Sequence, residues 1–436
     1  MKIYDLIGIG FGPSNIALAI TLEEQKQSGY GIESFFIEKQ PNFAWHANML
    51  LDNAHMQVSF LKDLATMRNP SSHFTFINYL HQKNRLQDFI NLKTFFPSRH
   101  EFNDYLTWAA SHFDHCCAYG EEVIEVLPEK RGDEVALLRI RSRNREQVVH
   151  ERLTRNLVIS IGGQPRIPES FAPLKGDPRV FHSNNYLKEI KHHPHAKKIA
   201  VVGGGQSAAE IFMDLHHRYE KDKAQVDLIM RARAIKPSDD SPFVNEIFNT
   251  DFTDYVFNSS DQQRTEILNE FWHTNYAAPD LVLIEQIFNV FYRQKVAGIE
   301  RHRFLRRHEV KQAVSQNDGI QFVLHDLNTE QDRTATYDAV VLATGYNRDY
   351  HKLLLAPIMP YFRDMQVDRQ YRLNSVAQFK PSVFLQGACE SSHGLSDTLL
   401  SVTAVRTHEI AQALINTSNQ TTSAQLKRAM PSAFAY

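Results

Sequence analysis

The stretch Asp5-Leu6-Ile7-Gly8-Ile9-Gly10-Phe11-Gly12-Pro13-Ser14-Asn15 decides the fold, and Ile199-Ala200-Val201-Val202-Gly203-Gly204-Gly205-Gln206-Ser207-Ala208 repeats its logic. Each is a short apolar run that stops at a glycine and passes through small residues into a helical pattern. That pattern is Ile16-Ala17-Leu18-Ala19 in the first case and Ala208-Ala209-Glu210-Ile211-Phe212 in the second. Near-continuous apolar strands are buried on both faces, as in parallel sheets covered by helices. Strand, glycine turn and helix in that order open a dinucleotide-binding unit. The first glycine permits the tight turn, the second lets a pyrophosphate approach, and the helix N-terminus offers free N–H groups and the positive end of its dipole. Two such openings predict two bound nucleotides. Two more runs ending in glycine, Leu157 to Gly162 and Ala339 to Gly345, add buried strands. The expected class is α/β, with two Rossmann-like domains.

The strand after each turn separates the two ligands. After the first turn, the strand Ser34-Phe35-Phe36-Ile37 closes on Glu38 and Lys39, where a carboxylate suits ribose hydroxyls. After the second, Val226-Asp227-Leu228-Ile229-Met230 closes on Arg231, with Arg233 beyond, and arginine there suits the 2'-phosphate of NADP. The first turn departs from G-x-G-x-x-G by carrying Pro13 at the third position, whereas the second fits G-x-G-x-x-A. A degraded nucleophile elbow at Gly205 to Ala209 is the weaker reading, because the elbow needs glycine where Ala209 stands.

Composition limits the partners. A formal net charge of -2 over 436 residues gives no general attraction to nucleic acid or anionic lipid. The apolar runs are strand length, and the N-terminus lacks the pattern of a signal peptide, so a soluble cytoplasmic protein is expected. The three cysteines, Cys116, Cys117 and Cys389, form neither a disulfide framework nor a Cys-x-x-Cys redox pair. His192, His193 and His195 flank Pro194 in a lysine-rich connection and read as solvated side chains, so no metal site is expected. Gln262 to Tyr292 has helical periodicity and interrupts the second unit. Asn416 to Gln425 reads as a loose tail.

Longer blocks carry a resemblance. They are Met56-Gln57-Val58-Ser59-Phe60-Leu61-Lys62-Asp63-Leu64, Asn78-Tyr79-Leu80, Pro97-Ser98-Arg99-His100-Glu101-Phe102, Pro237 to Glu246, Thr274-Asn275-Tyr276 and His393-Gly394-Leu395-Ser396-Asp397. With the first turn, they make the chain similar to the flavin-dependent N-hydroxylating monooxygenases of siderophore synthesis, nearest the L-ornithine N5-hydroxylase branch. Leu174 to Tyr186 also loosely resembles the fingerprint of class B flavin monooxygenases.

The resemblance implies NADPH reduction of FAD, capture of O2 as a C4a-hydroperoxyflavin, and transfer of one oxygen to a small primary amine. It implies a FAD-binding domain over 1–165 and 350–436, an NADPH-binding domain over 166–243 and 292–349, and a small helical substrate-binding region over 244–291. Gly8, Gly10, Gly12, Pro13, Ser14, Glu38, Lys39, Trp45, His46 and Gln57 fall at FAD positions. Arg99, Gly203, Gly205, Gln206, Ser207, Arg231 and Tyr276 fall at NADPH positions. Lys62, Asn245, Asn275 and Leu395 fall at substrate positions, and Gln57, Asn275 and Ser396 nearest the chemistry. His393 has no catalytic part to play, since the substrate amine is itself the nucleophile. A homo-oligomer is left open, as relatives differ.

Two departures bear on the amine. Ala277-Ala278-Pro279 stands where the ornithine branch typically has Ser-Val-Val, and Ser392 stands where threonine is usual. L-ornithine and a decarboxylated amine such as histamine, putrescine or cadaverine therefore both remain open. Other FAD/NADPH enzymes, namely S- or Baeyer–Villiger monooxygenases and reductases, are the competing class.

Overall fold

In a computed structural model, described for residues 2–429 and for side chains of the last helix only up to residue 417, the four glycine-terminated runs are central strands. Leu6, Ile7, Leu157, Ile199, Val201 and Val341 have no solvent exposure. Apolar residues on both faces leave such strands only one stable place, inside a sheet covered on both sides.

The first sheet runs, in spatial order, Cys117–Tyr119, Ser34–Glu38, Ile3–Ile9, Val149–Ile159, Glu134–Asn144 and Glu121–Arg131, with Ser382–Leu385 also pairing on Val149–Ile159. Its nucleotide half is parallel, with Leu6 opposite Ser34 and Ile7 opposite Leu157. Its far half is an antiparallel meander. The second sheet is wholly parallel: Arg303–Arg306, Gln225–Met230, Lys198–Val202, Ala339–Leu342 and Val180–His182. In both sheets the strand order reverses beside the glycine-terminated strand, and ligands of open α/β sheets bind outside the carboxyl ends at such a switch point. An antiparallel meander, His308–Gln316, Gly319–Asp326 and Gln331–Tyr337, packs Ile320, Phe322 and Leu324 under the second sheet.

Helices separate the strands Gln225–Met230 and Arg303–Arg306, from Pro242–Asn245 to Leu281–Ala297. The last of these buries Ile287 in the core of the second sheet. Thr250–Asn258 faces the other way, with Val256 packed on Gly394 of the C-terminal block. The loose tail expected at 416–425 is corrected: the helix Thr403–Ala429 runs through it. Neither glycine nor proline occurs between Thr403 and Met430 to stop a helix already anchored by Ile410, Ala411 and Leu414. No described helix is long and apolar enough to cross a membrane.

Candidate functional site

At the first turn the glycines answer to sterics. A Cβ on Gly10, whose φ is +82°, would meet the Ser160 carbonyl oxygen at 2.4 Å, and one on Gly8 would meet Phe36 at 2.4 Å. Gly12 differs, since a Cβ there would meet nothing within 4 Å. Gly12 is the N-cap of Pro13–Gln27 and no side chain caps that helix, so Pro13 opens it with free N–H groups beside empty space. Glu38, only 8% exposed, accepts from Phe11 N–H at 2.7 Å and Gln40 N–H at 2.8 Å, tying the end of its strand to the turn. Lys39 is exposed. Ser14 Oγ accepts from Arg406 at 2.8 Å, and Arg406 in turn pairs with Asp397 at 3.1 Å, both buried.

The second turn is more open. A Cβ on Gly203, φ +152°, would meet the Ala343 carbonyl oxygen at 2.3 Å. Gly205 is the N-cap of Gln206–Arg218, again with no side-chain cap. Ser207 is half-buried and Arg231 is exposed. Ala277, itself at φ +53°, lies against Gly205, its Cα 3.6 Å from the place of a Cβ there, and the Pro279 carbonyl accepts from Ser238 N–H. Ala277, the first residue of the departure, therefore abuts the second turn.

A chain of polar side chains runs from the second turn to Gln57. Arg99 pairs with Glu210 at 2.8 Å, Glu210 accepts from Gln206 Nε2 at 2.8 Å, and Gln206 Nε2 also donates to Asp280 at 2.9 Å. Asp280 N–H donates back to Gln206 Oε1 at 2.9 Å, and Gln57 Nε2 donates to the other Asp280 oxygen at 3.1 Å. The Gln206 amide is thus directed at the protein through both its nitrogen and its oxygen, while Gln57 keeps its carbonyl oxygen uncommitted. Asp280 occupies the N-cap of Leu281–Ala297 without capping it. Its carboxylate gains from the helix dipole and spends both oxygens on the two glutamines.

The remaining candidate residues differ in their surroundings. Lys62 is half-buried, and desolvation holds its ammonium below the usual lysine range with no carboxylate paired to it among the described residues. Asn245 donates to the Asp240 carbonyl at 2.9 Å, and Asn275 is half-buried at the end of Trp272–Asn275. The Tyr276 hydroxyl donates to Glu390, which joins the helical insertion to the C-terminal block; burial, then Glu390, pushes the phenol up to about 12. Leu395 and Ser396 are buried in that block, 4% and 1% exposed. Trp45 packs on His46 and Phe102. His46 has exposed surface yet is crowded by protein, so desolvation, then the charges of Arg99 and Arg348, lower its pKa to about 4, as expected for a ring lining a concavity.

His393 is buried and stacked on Tyr371 at 4.0 Å, its pKa lowered to about 4 chiefly by burial, which suits a structural ring. Burial pushes the Cys116 thiol up to about 11 and Cys389 is buried, so neither is poised for redox exchange. Among the described residues no group of three or more His, Cys, Asp or Glu could hold a metal.

Glu210, Asp280, Arg348 and Arg406 carry roles that the sequence alone does not signal. Glu210 lies inside an apolar helical pattern, with only its charge among such neighbours to mark it. Arg406 is likewise an arginine on an otherwise apolar helix face. Arg348 comes just after the fourth apolar run, and its charge acts on His46, Tyr276 and Glu390.

Residues 2–348 match the family model described as L-lysine 6-monooxygenase/L-ornithine 5-monooxygenase. The L-ornithine N(5)-monooxygenase of Pseudomonas aeruginosa is 49% identical over 416 residues, 94% of this chain and 94% of the relative. The ornithine N-hydroxylase of Kutzneria sp. 744, solved with reduced FAD, NADP+ and L-ornithine, superposes with TM-score 0.90 at 35% identity, covering 96% of this chain and 100% of that one. A FAD-bound cadaverine monooxygenase of the desferrioxamine pathway from Erwinia amylovora superposes with TM-score 0.84 at 26% identity, covering 95% of each chain.

Proposed function

The chain belongs to the L-lysine 6-monooxygenase/L-ornithine 5-monooxygenase family, and from that premise we propose that it hydroxylates the side-chain amine of L-ornithine with FAD, NADPH and O2, supplying a hydroxylamine for hydroxamate siderophores. The observation that carries the choice of amine is Lys62. A half-buried ammonium with no carboxylate partner among the described residues is a prepared receptor for an α-carboxylate, which ornithine has and a diamine or histamine lacks. The greater identity to the ornithine enzyme than to the cadaverine enzyme points the same way. Since Ala277 packs on the second turn, that part of the departure bears on the NADPH side more than on the amine.

The residues present fit both nucleotides. The space beside Gly12 at an uncapped helix N-terminus suits a pyrophosphate, and Gly8, Gly10, Pro13, Ser14, Glu38, Lys39, Trp45 and His46 would hold FAD there. Gly203, Gly205, Ser207, Arg231 and Tyr276 would hold NADPH, with Arg99 and Gln206 fixed through Glu210. When bound, the nicotinamide reduces the flavin and the reduced flavin activates O2. The chain's own work is placement. Asp280 directs the Gln57 amide so that its carbonyl oxygen stays free, and Lys62 with Asn245 and Asn275 would orient ornithine by its amino-acid end. Leu395 and Ser396 would close the pocket from the C-terminal block, keeping water out. The helical region 244–291 is proposed as the substrate-binding part, between FAD-binding segments at 1–165 and 350–436 and NADPH-binding segments at 166–243 and 292–349.

An amine panel decides the matter, scored by hydroxylamine formed per NADPH oxidised. Ornithine should give coupled product well above lysine, putrescine, cadaverine and histamine. Lys62→Ala should lower kcat/KM for ornithine by about 10- to 100-fold, the worth of a charge-assisted contact, and leave the diamines nearly unchanged. Coupled turnover of any diamine above ornithine would sink the assignment.

A further inference from the structure

A cluster of cations at the carboxyl edge of the second sheet extends from Arg233 to residues not named for either nucleotide. The strand Arg303–Arg306 runs parallel to Gln225–Met230 with Arg306 opposite Met230, so Arg307 leaves its strand beside Arg231. Arg233, Arg306, Arg307 and His308 line one pocket of about 350 Å3 with Phe304 and Asn328.

Three guanidinium groups facing one concavity repel each other, and among the described residues no carboxylate pairs with any of them. Arg306 lies 5.4 Å from the Phe304 ring. Arg307 donates only to backbone carbonyls, of Arg231 at 3.4 Å and Leu327 at 3.3 Å, and its Nε is buried without a partner. Asp326, opposite His308 across the meander, accepts from Asn328 N–H at 2.8 Å. Arg307 also holds φ +55°, a conformation uncommon for a long L-residue, and in it the side chain turns back over the Arg231 loop. The two strand ends are thereby one unit.

We propose that Arg306 and Arg307, with Arg233, form the receptor for a phosphate monoester, the 2'-phosphate of NADPH, and so set the preference for NADPH over NADH. The inference rests on the reading of the second turn as the NADPH site, and it adds residues from a neighbouring strand to Arg231. Planar forks from two strands can grip a tetrahedral dianion from two sides, which a single arginine cannot.

The test is calorimetric, on the FAD-loaded enzyme, with NADP+, NAD+, 2'-AMP and inorganic phosphate as probes. Arg306→Gln and Arg307→Lys are the variants; Arg306 is exposed and Arg307→Lys keeps its charge, so flavin content and circular dichroism should match the parent. The expected result is a Kd for NADP+ raised about tenfold by Arg306→Gln and severalfold by Arg307→Lys, an unchanged Kd for NAD+, and 2'-AMP binding that weakens in parallel. Variants that keep the parent's NADP+ to NAD+ ratio overturn the inference while leaving the NADPH reading intact. A parent that shows no preference for NADP+ overturns the NADPH reading itself. Inorganic phosphate that binds the parent without competing with NADP+ marks a separate phosphate site and also overturns the inference.

Discussion

The two glycine turns begin alike and are finished differently. The first is sealed: Glu38 is spent on backbone N–H groups, Ser14 is held by the buried Arg406–Asp397 pair, and Asn15, Ser160 and Gln386 bond to one another behind the strand. The second is rimmed by exposed arginines and by a strap of side chains that joins Gln206 through Asp280 to Gln57. A turn locked by buried polar groups suits a ligand that stays, and a turn with exposed cations suits one that arrives and leaves. Similar backbone motifs are thus set in different surroundings.

The comparison can be broken most forcefully at its buried ion pair. Arg406→Ala leaves Asp397 buried without its cation and should cost about 3–5 kcal/mol in denaturant unfolding, with protein purified largely without flavin. Arg231→Ala, at the open turn, should change stability by less than about 0.5 kcal/mol. Equal losses in the two would erase the distinction. Gly12→Ala sharpens it differently: the added methyl meets no protein atom, so apo stability should hold within a few tenths of a kcal/mol while FAD affinity falls at least about tenfold, read by flavin fluorescence titration.

Asp280→Asn tests the strap. An amide in place of the carboxylate loses one of the two acceptors that fix Gln57 and Gln206, and the hydroxylamine yield per NADPH should fall by about three- to tenfold with FAD content unchanged. In a Gln57→Ala background the same change should lower the yield little further, because the two act in series.

The smallest effect is a pH dependence in the second unit. His302 accepts from Val226 N–H through Nδ1 and meets His216 at 2.9 Å; burial, then Arg301, lowers their pKa values to about 3 and about 4. Both rings are neutral in the fold but charge near pH 6.5 when unfolded. Their contribution is complete above about pH 6.5 and is lost as pH falls toward about 4. Between about pH 6.5 and 5 the melting temperature should drop by about 3 °C, and by less in His302→Gln.

Much of this was legible in the chain. The strands at Leu6, Ile199 and Ala339 announce themselves because burial on both faces forces unbroken apolar runs. The meanders at Glu121–Arg131 and Glu134–Asn144 do not, because one half-solvated face alternates Glu and Arg with Val and Leu and dilutes the signal. Individual site residues such as Lys62 and Asn275 stood out only as parts of longer family blocks. Asp280 and Arg406 could not be found at all, since their roles come from partners far away in the chain, Gln57 and Ser14.

Arg406 has a consequence for biosynthesis. During synthesis the first glycine turn leaves the ribosome well before the guanidinium that steadies it, since Ser14 and Arg406 stand 392 residues apart in the chain. Stable capture of the flavin is thereby deferred until Arg406 has been made, so a translation product truncated before it should carry the turn's sequence without the colour.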